Sequence, residues 1–173
     1  PALAENLCGK SRPGHFRGVC TVVLKLFNLA QPDIALFGEK DRQQLCILKK
    51  MAEDLNLPLT VRGCPTVREA DGLALSSRNK YLSAEERRQA AQIIKGLRLA
   101  DELFRKGERA SAILSAAVRD YWRVNIPNGE IDYLEFVHPE SLAPLENLNE
   151  TAIVAAAVKF TSARLIDNLV LEA

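Results

Sequence analysis

The stretch Asp71-Gly-Leu-Ala-Leu-Ser-Ser-Arg-Asn79 sets two hydroxyls and a guanidinium side by side shortly after a glycine. Hydroxyl donors beside an arginine fork suit a phosphate chain, because several charge-assisted hydrogen bonds can converge on its oxygens. The same residue types also build a plain turn: Ser and Asn bond their own backbone, and Arg78 could pair with a surface carboxylate for little gain. Taken alone, Ser76, Ser77 and Arg78 leave both readings open.

A second stretch, Phe37-Gly-Glu-Lys-Asp-Arg-Gln-Gln44, reads first as structure. Asp41 would cap a helix, Gln44 would take the third position of a capping box, and Gly38 would relieve a strand-end turn. Lys40 is left over, since a cation at a helix start opposes the positive end of the macrodipole. A bound anion would remove that conflict, and Lys40 and Gln44, four apart, share a helix face. A third stretch, Ser11 to Gly18, carries Arg12, His15 and Arg17 around a Pro13-Gly14 turn; a solvated loop and a flap over a nucleotide fit it equally. His138, ahead of Pro139, reads as a surface or capping histidine. Lys49, Lys50, Arg87 and Arg88 read as solvated helix faces. Neither GxxxxGK[ST] nor GxGxxG occurs, so a P-loop and a dinucleotide fingerprint are excluded at the level of motifs.

The bulk numbers narrow the partners. The 173 residues are 47% hydrophobic and 26% charged, with a net charge of +1, which is enough apolar material for one core or two small ones. No long-range positive field points to nucleic acid or an anionic membrane, so an anion must be held locally. Cys8, Cys20, Cys46 and Cys64 form no CxxC pair and His15 and His138 lie far apart, which argues against a zinc cluster. Reduced, buried thiols are expected. No apolar run approaches the roughly 20 residues of a membrane helix and no signal segment opens the chain, so a cytoplasmic protein is expected.

The elements that would position these residues alternate. Val19, Val22, Val23, Leu26 and Phe27 have helical spacing, Asp33 to Gly38 is strand-like, and a helix then carries Leu45, Leu48, Met51, Ala52 and Leu55 on one face. Leu59 to Val67 follows as a strand. Such alternation predicts an α/β fold with a parallel sheet, in which ligands bind at the carboxyl ends of the strands, so Phe37 to Asp41 and Pro65 to Arg78 are expected on one rim. Ser83 to Glu86 is a capping box whose helix turns Ala90, Ile94, Leu97 and Phe104 inward before Gly107. A second helix holds Ile113, Leu114, Ala117, Val118, Tyr121 and Trp122. Three apolar segments, from Ile131, Ala152 and Ala163, predict a small antiparallel sheet, although the Ala-rich middle one could be helical. The domain boundary is placed between Thr66 and Asp71, giving domains 1–68 and 69–173.

Together, Arg12 to Gln44 and Val67 to Leu82 closely resemble the pantothenate synthetases, the ATP-dependent pantoate–β-alanine ligases, and the likeness runs through the terminal Ala163-Arg-Leu-Ile-Asp-Asn168. The resemblance implies the remainder of a Rossmann-like nucleotidylyltransferase domain in residues 1–68. Residues 69–173 would form a smaller α+β C-terminal lid with a three-stranded antiparallel sheet. It implies ATP contacts at Gly38, Glu39, Lys40, Asp41, Val67, Leu75, Ser76, Ser77 and Arg78, with Asp41 on ribose, Lys40 on phosphate and pantoate, and the Val67 backbone on adenine. Gln44 would hydrogen-bond pantoate, and Lys40, Ser76, Ser77 and Arg78 would carry catalysis with Mg²⁺, whose ligands the sequence does not assign. The family often has methionine at Leu75, an exchange of similar volume. No HxGH of the family's HIGH-type motif occurs, so the chain is expected to match the C-terminal portion of the family and to be inactive alone. The expected partners are pantoate, β-alanine and ATP, with no nucleic acid or membrane, and a homodimeric full-length enzyme. A nucleotidylyltransferase with another acceptor and a non-catalytic module are the alternatives.

Overall fold

A computed structural model describes residues 2–172; Pro1 and Ala173, the outermost residues of the two expected domains, lie outside it. The chain divides into two compact units, one of Pro1–Thr66 with Glu140–Leu142 and one of Val67–Pro139 with Ala143–Ala173.

The first unit runs through α1 (Leu7–Ser11), α2 (His15–Ala30), β1 (Ile34–Gly38), a 3-10 turn at Glu39–Asp41, α3 (Arg42–Asp54) and β2 (Thr60–Cys64). β1 and β2 pair in parallel from Ile34↔Thr60 to Gly38↔Cys64, as the alternation predicts. Phe27, Leu45, Leu48, Ala52 and Val61 form the core between helices and sheet, with Val19, Val23 and Phe37 packed against them. Val19, Val23 and Phe27 are four apart and make one stripe of α2; Val22 and Leu26 lie about 100° around the helix from it and stay more than half exposed. Leu55 was expected on the buried face of α3, but it follows the last helical turn and is 50% exposed. Of the expected buried thiols only Cys8 is buried; Cys20, Cys46 and Cys64 are half-buried, and none of the four is in a disulfide.

The Gln43 side chain holds the amino-terminal residues. Gln43, 5% exposed, donates through Nε2 to the carbonyls of Leu3 and Asn6, each at 2.7 Å, and accepts from the Gly9 N–H at 3.3 Å. Burying a primary amide is costly unless its donors and acceptor are satisfied, and here they are.

The second unit begins with a loop to Leu82 and continues through α4 (Ala84–Ala90), α5 (Gln92–Arg105), α6 (Ser111–Asn125), β3 (Glu130–Val137), β4 (Ala152–Lys159) and β5 (Arg164–Leu171). The capping box forms in full: Ser83 Oγ accepts from the Glu86 N–H and Glu86 Oε2 accepts from the Ser83 N–H. The single long helix expected from it is interrupted at Ala91, yet Ala90, Ile94, Leu97 and Phe104 all point inward. Ile113 does not: at the start of α6 it is 54% exposed, while Leu114, Val118 and Trp122 fill the stripe. The three terminal segments form the antiparallel sheet β3-β4-β5. The Ala-rich β4 is its central strand, buried from Ala152 to Val158, where the small side chains leave room for close layers.

The α5–α6 seam is closer than side chains normally permit. Gly96 faces the Trp122 indole so closely that a methyl group there would overlap the ring. Trp122, 1% exposed, satisfies its Nε1–H on the Gln92 carbonyl at 3.2 Å.

Candidate functional site

In the first unit, parallel pairing puts the carboxyl ends of β1 and β2 at one edge, and Gly38, Glu39, Lys40, Asp41 and Gln44 cluster there. Gly38 has φ −69° and ψ 133°, which any residue adopts, so relief of a turn is not its role. The space a Cβ would take at Gly38 is open, leaving the strand end approachable by another molecule. Glu39 leans over β2, its carboxylate against the place a Gly63 side chain would occupy.

The expected cap at Asp41 is not made. The 3-10 turn carries Asp41 to φ −93° and ψ 57°, away from the extended geometry a cap needs, and its carboxylate accepts no backbone N–H of the first turn of α3. Lys40 is half-buried within that turn and Gln44 is half-buried on the following one.

In the second unit, Val67 to Leu75 form a narrow hairpin. The Leu75 N–H bonds the Val67 carbonyl at 2.9 Å, Glu69 bonds Leu73 at 2.8 Å, and Asp71-Gly72 turn the chain with Gly72 at φ 93°. Leu73 and Ala74 enter the core, whereas Val67 and Leu75, joined across the hairpin, are 67% and 58% exposed. They make an apolar ledge directly beside the polar loop. Ser76 caps the 3-10 helix Ser77–Tyr81, its Oγ accepting from the Arg78 N–H at 3.2 Å, which leaves the hydroxyl proton able to donate outward. Ser77 and Arg78 are exposed, and the Arg78 guanidinium has no ion-pair partner among the described residues.

Arg68, Arg87 and the nearby carboxylates, by contrast, are engaged. Arg68 grips Asp167 with two bonds, 2.7 and 2.9 Å, and donates to the Gly72 carbonyl at 3.1 Å. Arg87, expected as a solvated helix residue, instead bonds Glu69 at 2.7 Å and Asp71 at 2.6 Å. These bonds hold the Glu69 and Asp71 carboxyls below their usual range. Asn79 completes the network, donating to Glu69 at 3.0 Å and to the Ala74 carbonyl at 3.1 Å. Sequence reasoning missed Arg68, Glu69, Arg87 and Asp167. Nothing in periodicity signals them, because each pair joins residues from different elements; the only hint is that two acids flank a loop read as anion-binding.

The stretch around Arg12 is not a plain loop. Gly14, at φ 77°, precedes α2; His15 and Arg17 lie in its first turn, and Arg12 Nη1 lies 3.3 Å from His15 Nε2. Arg12 and Arg17 border a cavity of about 510 Å³ whose walls, Phe16, Leu24, Ile47 and Met51 among them, are apolar. Among the described residues no three His, Cys, Asp or Glu side chains are grouped to hold a metal ion.

Residues 1–170 match the protein family described as Pantoate-beta-alanine ligase. The pantothenate synthetase of Oleidesulfovibrio alaskensis is 57% identical over 171 residues, which is 99% of this chain and 61% of that protein. The crystal structure of pantothenate synthetase from Thermus thermophilus superposes on the whole chain with a TM-score of 0.95 at 46% identity, covering 62% of that structure. The pantoate–β-alanine ligase of Francisella tularensis, solved with β-γ ATP and β-alanine, has a TM-score of 0.72 at 32% identity and is covered over 57% of its length. The chain thus spans about three fifths of the relatives it matches.

Proposed function

Since the chain belongs to the pantoate–β-alanine ligase family, we propose that the protein condenses pantoate with β-alanine to pantothenate, using ATP and passing through a pantoyl adenylate. The observation that carries this reading is the exposed Arg78, without an ion-pair partner among the described residues, standing beside the Ser76 hydroxyl and the apolar ledge of Val67 and Leu75. A nucleotide needs that mixture, a flat apolar surface for the base and charge-assisted donors for the phosphates.

In the first step a pantoate carboxylate oxygen bonds to the α-phosphorus, the bond to the β-phosphate oxygen breaks, and pyrophosphate leaves. In the second, the β-alanine amine attacks the acyl carbon, AMP leaves with the bonding pair, and the amine gives up a proton. A carboxylate is already ionised near neutral pH, so the first step needs no general base. The barrier lies in bringing two anions together and dispersing the charge of the leaving pyrophosphate. Lys40, Ser76, Ser77 and Arg78 supply donors for that charge. Gly38, Glu39 and Asp41 contact the nucleotide, with Asp41 on ribose, and Gln44 hydrogen-bonds pantoate. Mg²⁺ would add Lewis-acid charge at the phosphates. It binds readily through substrate phosphates and water, so the lack of a grouped ligand set among the described residues fits it, and no residue is assigned to it.

On this reading residues 1–68 are the nucleotide-binding part and residues 69–173 the lid of a homodimeric cytoplasmic enzyme. In support of the location, none of the four cysteines is in a disulfide and no helix among the described residues is long and apolar enough to cross a membrane.

Pantoate-dependent exchange of pyrophosphate into ATP tests the reading, measured on the 173-residue chain and on the protein at its full encoded length. Exchange stimulated by pantoate alone supports it; exchange driven only by another acid moves the protein to a different acceptor. Lys40→Ala should lower the exchange rate at least tenfold, about 1.4 kcal/mol of barrier. An unchanged rate would take Lys40 out of the mechanism.

A further inference from the structure

Arg78 can serve a phosphate only if it is not already neutralised, and two carboxylates belong to the same loop. Glu69 and Asp71 share its loop, and Asn79, the next residue, donates directly to Glu69 at 3.0 Å. Left unpaired, such carboxylates would draw Arg78 to themselves or repel a triphosphate. Arg87 occupies both. One nitrogen of its fork takes Asp71 and the other takes Glu69, and only 27% of its side chain remains exposed.

Arg87 is also held by a rigid support. It lies on the first turns of α4, its N–H bonded to the Ser83 carbonyl at 2.8 Å. The neighbouring Glu86 is 5% exposed and accepts from both the Ser83 and the Thr161 N–H, each at 2.9 Å, which fastens the helix start to the β4–β5 turn. A fork mounted there fixes where the two carboxylates point.

We propose that Arg87 is a positioning residue: it holds Glu69 and Asp71 away from Arg78, so that the loop Ser76–Arg78 meets a polyphosphate with its guanidinium uncommitted. The inference deepens the ligase reading and rests on it for the identity of the polyphosphate. Arg87 touches no substrate; it acts by keeping two acids occupied.

Charge occupation and simple loop stiffening predict different results in three proteins at full encoded length. Arg87→Gln should raise the KM for ATP roughly tenfold while kcat changes less than about threefold. Removing the liberated acids as well, with Glu69→Gln and Asp71→Asn in the Arg87→Gln background, should bring that KM back to within about threefold of the unsubstituted protein. A triple variant as weak as Arg87→Gln, with thermal unfolding showing all three folded, overturns the proposal, because a lost scaffold is not repaired by deleting charges. If the unsubstituted protein shows no pantoate-dependent exchange, the ligase reading fails by itself. The inference is then decided by equilibrium binding of inorganic tripolyphosphate. Weaker binding in Arg87→Gln with recovery in the triple variant supports it, and equal affinity in all three overturns it.

Discussion

Arg78 and Arg87 carry the same guanidinium and use it in opposite ways, one exposed, the other locked between two acids. That difference has a pH signature. Because the Arg87 bonds lower the folded-state pKa values of Glu69 and Asp71, these carboxylates contribute stability that is complete above their unfolded values, near 4. The contribution disappears as pH falls through the lower folded values. Urea unfolding should therefore show a stability gap between the unsubstituted protein and Arg87→Gln that is full at pH 7 and closes as the pH is lowered below about 4. A gap unchanged at pH 3 would mean that these ion pairs are not its source. The residue types of this loop were legible in the sequence, but not which of its arginines stays available. Ser76, Ser77 and Arg78 form one run, whereas the carboxylate partners of Arg87 lie 16 and 18 positions back.

At the level of elements, patterns of period 2 and 3.6 located the strands and helices because each buries one face. They failed where a local rule met a tertiary demand. Asp41 has the right type for a helix cap, yet the 3-10 turn after β1 takes it out of the geometry a cap requires. Ile113 is four residues from Ala117, but it faces outward because the buried stripe of α6 is Leu114, Val118 and Trp122, about 100° around the helix from it. Gly96 was invisible to periodicity, since a glycine in a helix reads as a weakness and not as a contact. Its replacement by alanine would gain helix propensity and still overlap the Trp122 ring, which is boxed in and hydrogen-bonded. Gly96→Ala should therefore destabilise the protein by about 1–3 kcal/mol net. The single tryptophan, Trp122, makes fluorescence-monitored urea unfolding the direct measurement. A neutral or stabilising result would show that α5 and α6 can separate at no cost.

For the whole molecule, family membership was legible because two long motifs, Arg12 to Gln44 and Val67 to Leu82, occur in the right order, and residues 1–170 fit the family throughout. The catalytic assembly was less legible, since the sequence says which residue types are present and not how far each is already committed. One consequence concerns the parallel pair β1–β2. Among the described residues this sheet stops at two strands, and Ile34 and Leu36 on β1 are 48% and 63% exposed. A strand with open amides and carbonyls on its outer side, and oily side chains beside them, is a template for a further strand from any neighbour. The isolated 173-residue chain should therefore self-associate as its concentration rises. Sedimentation should show a weight-average mass that climbs with loading, and Leu36→Lys should hold it closer to 19.1 kDa.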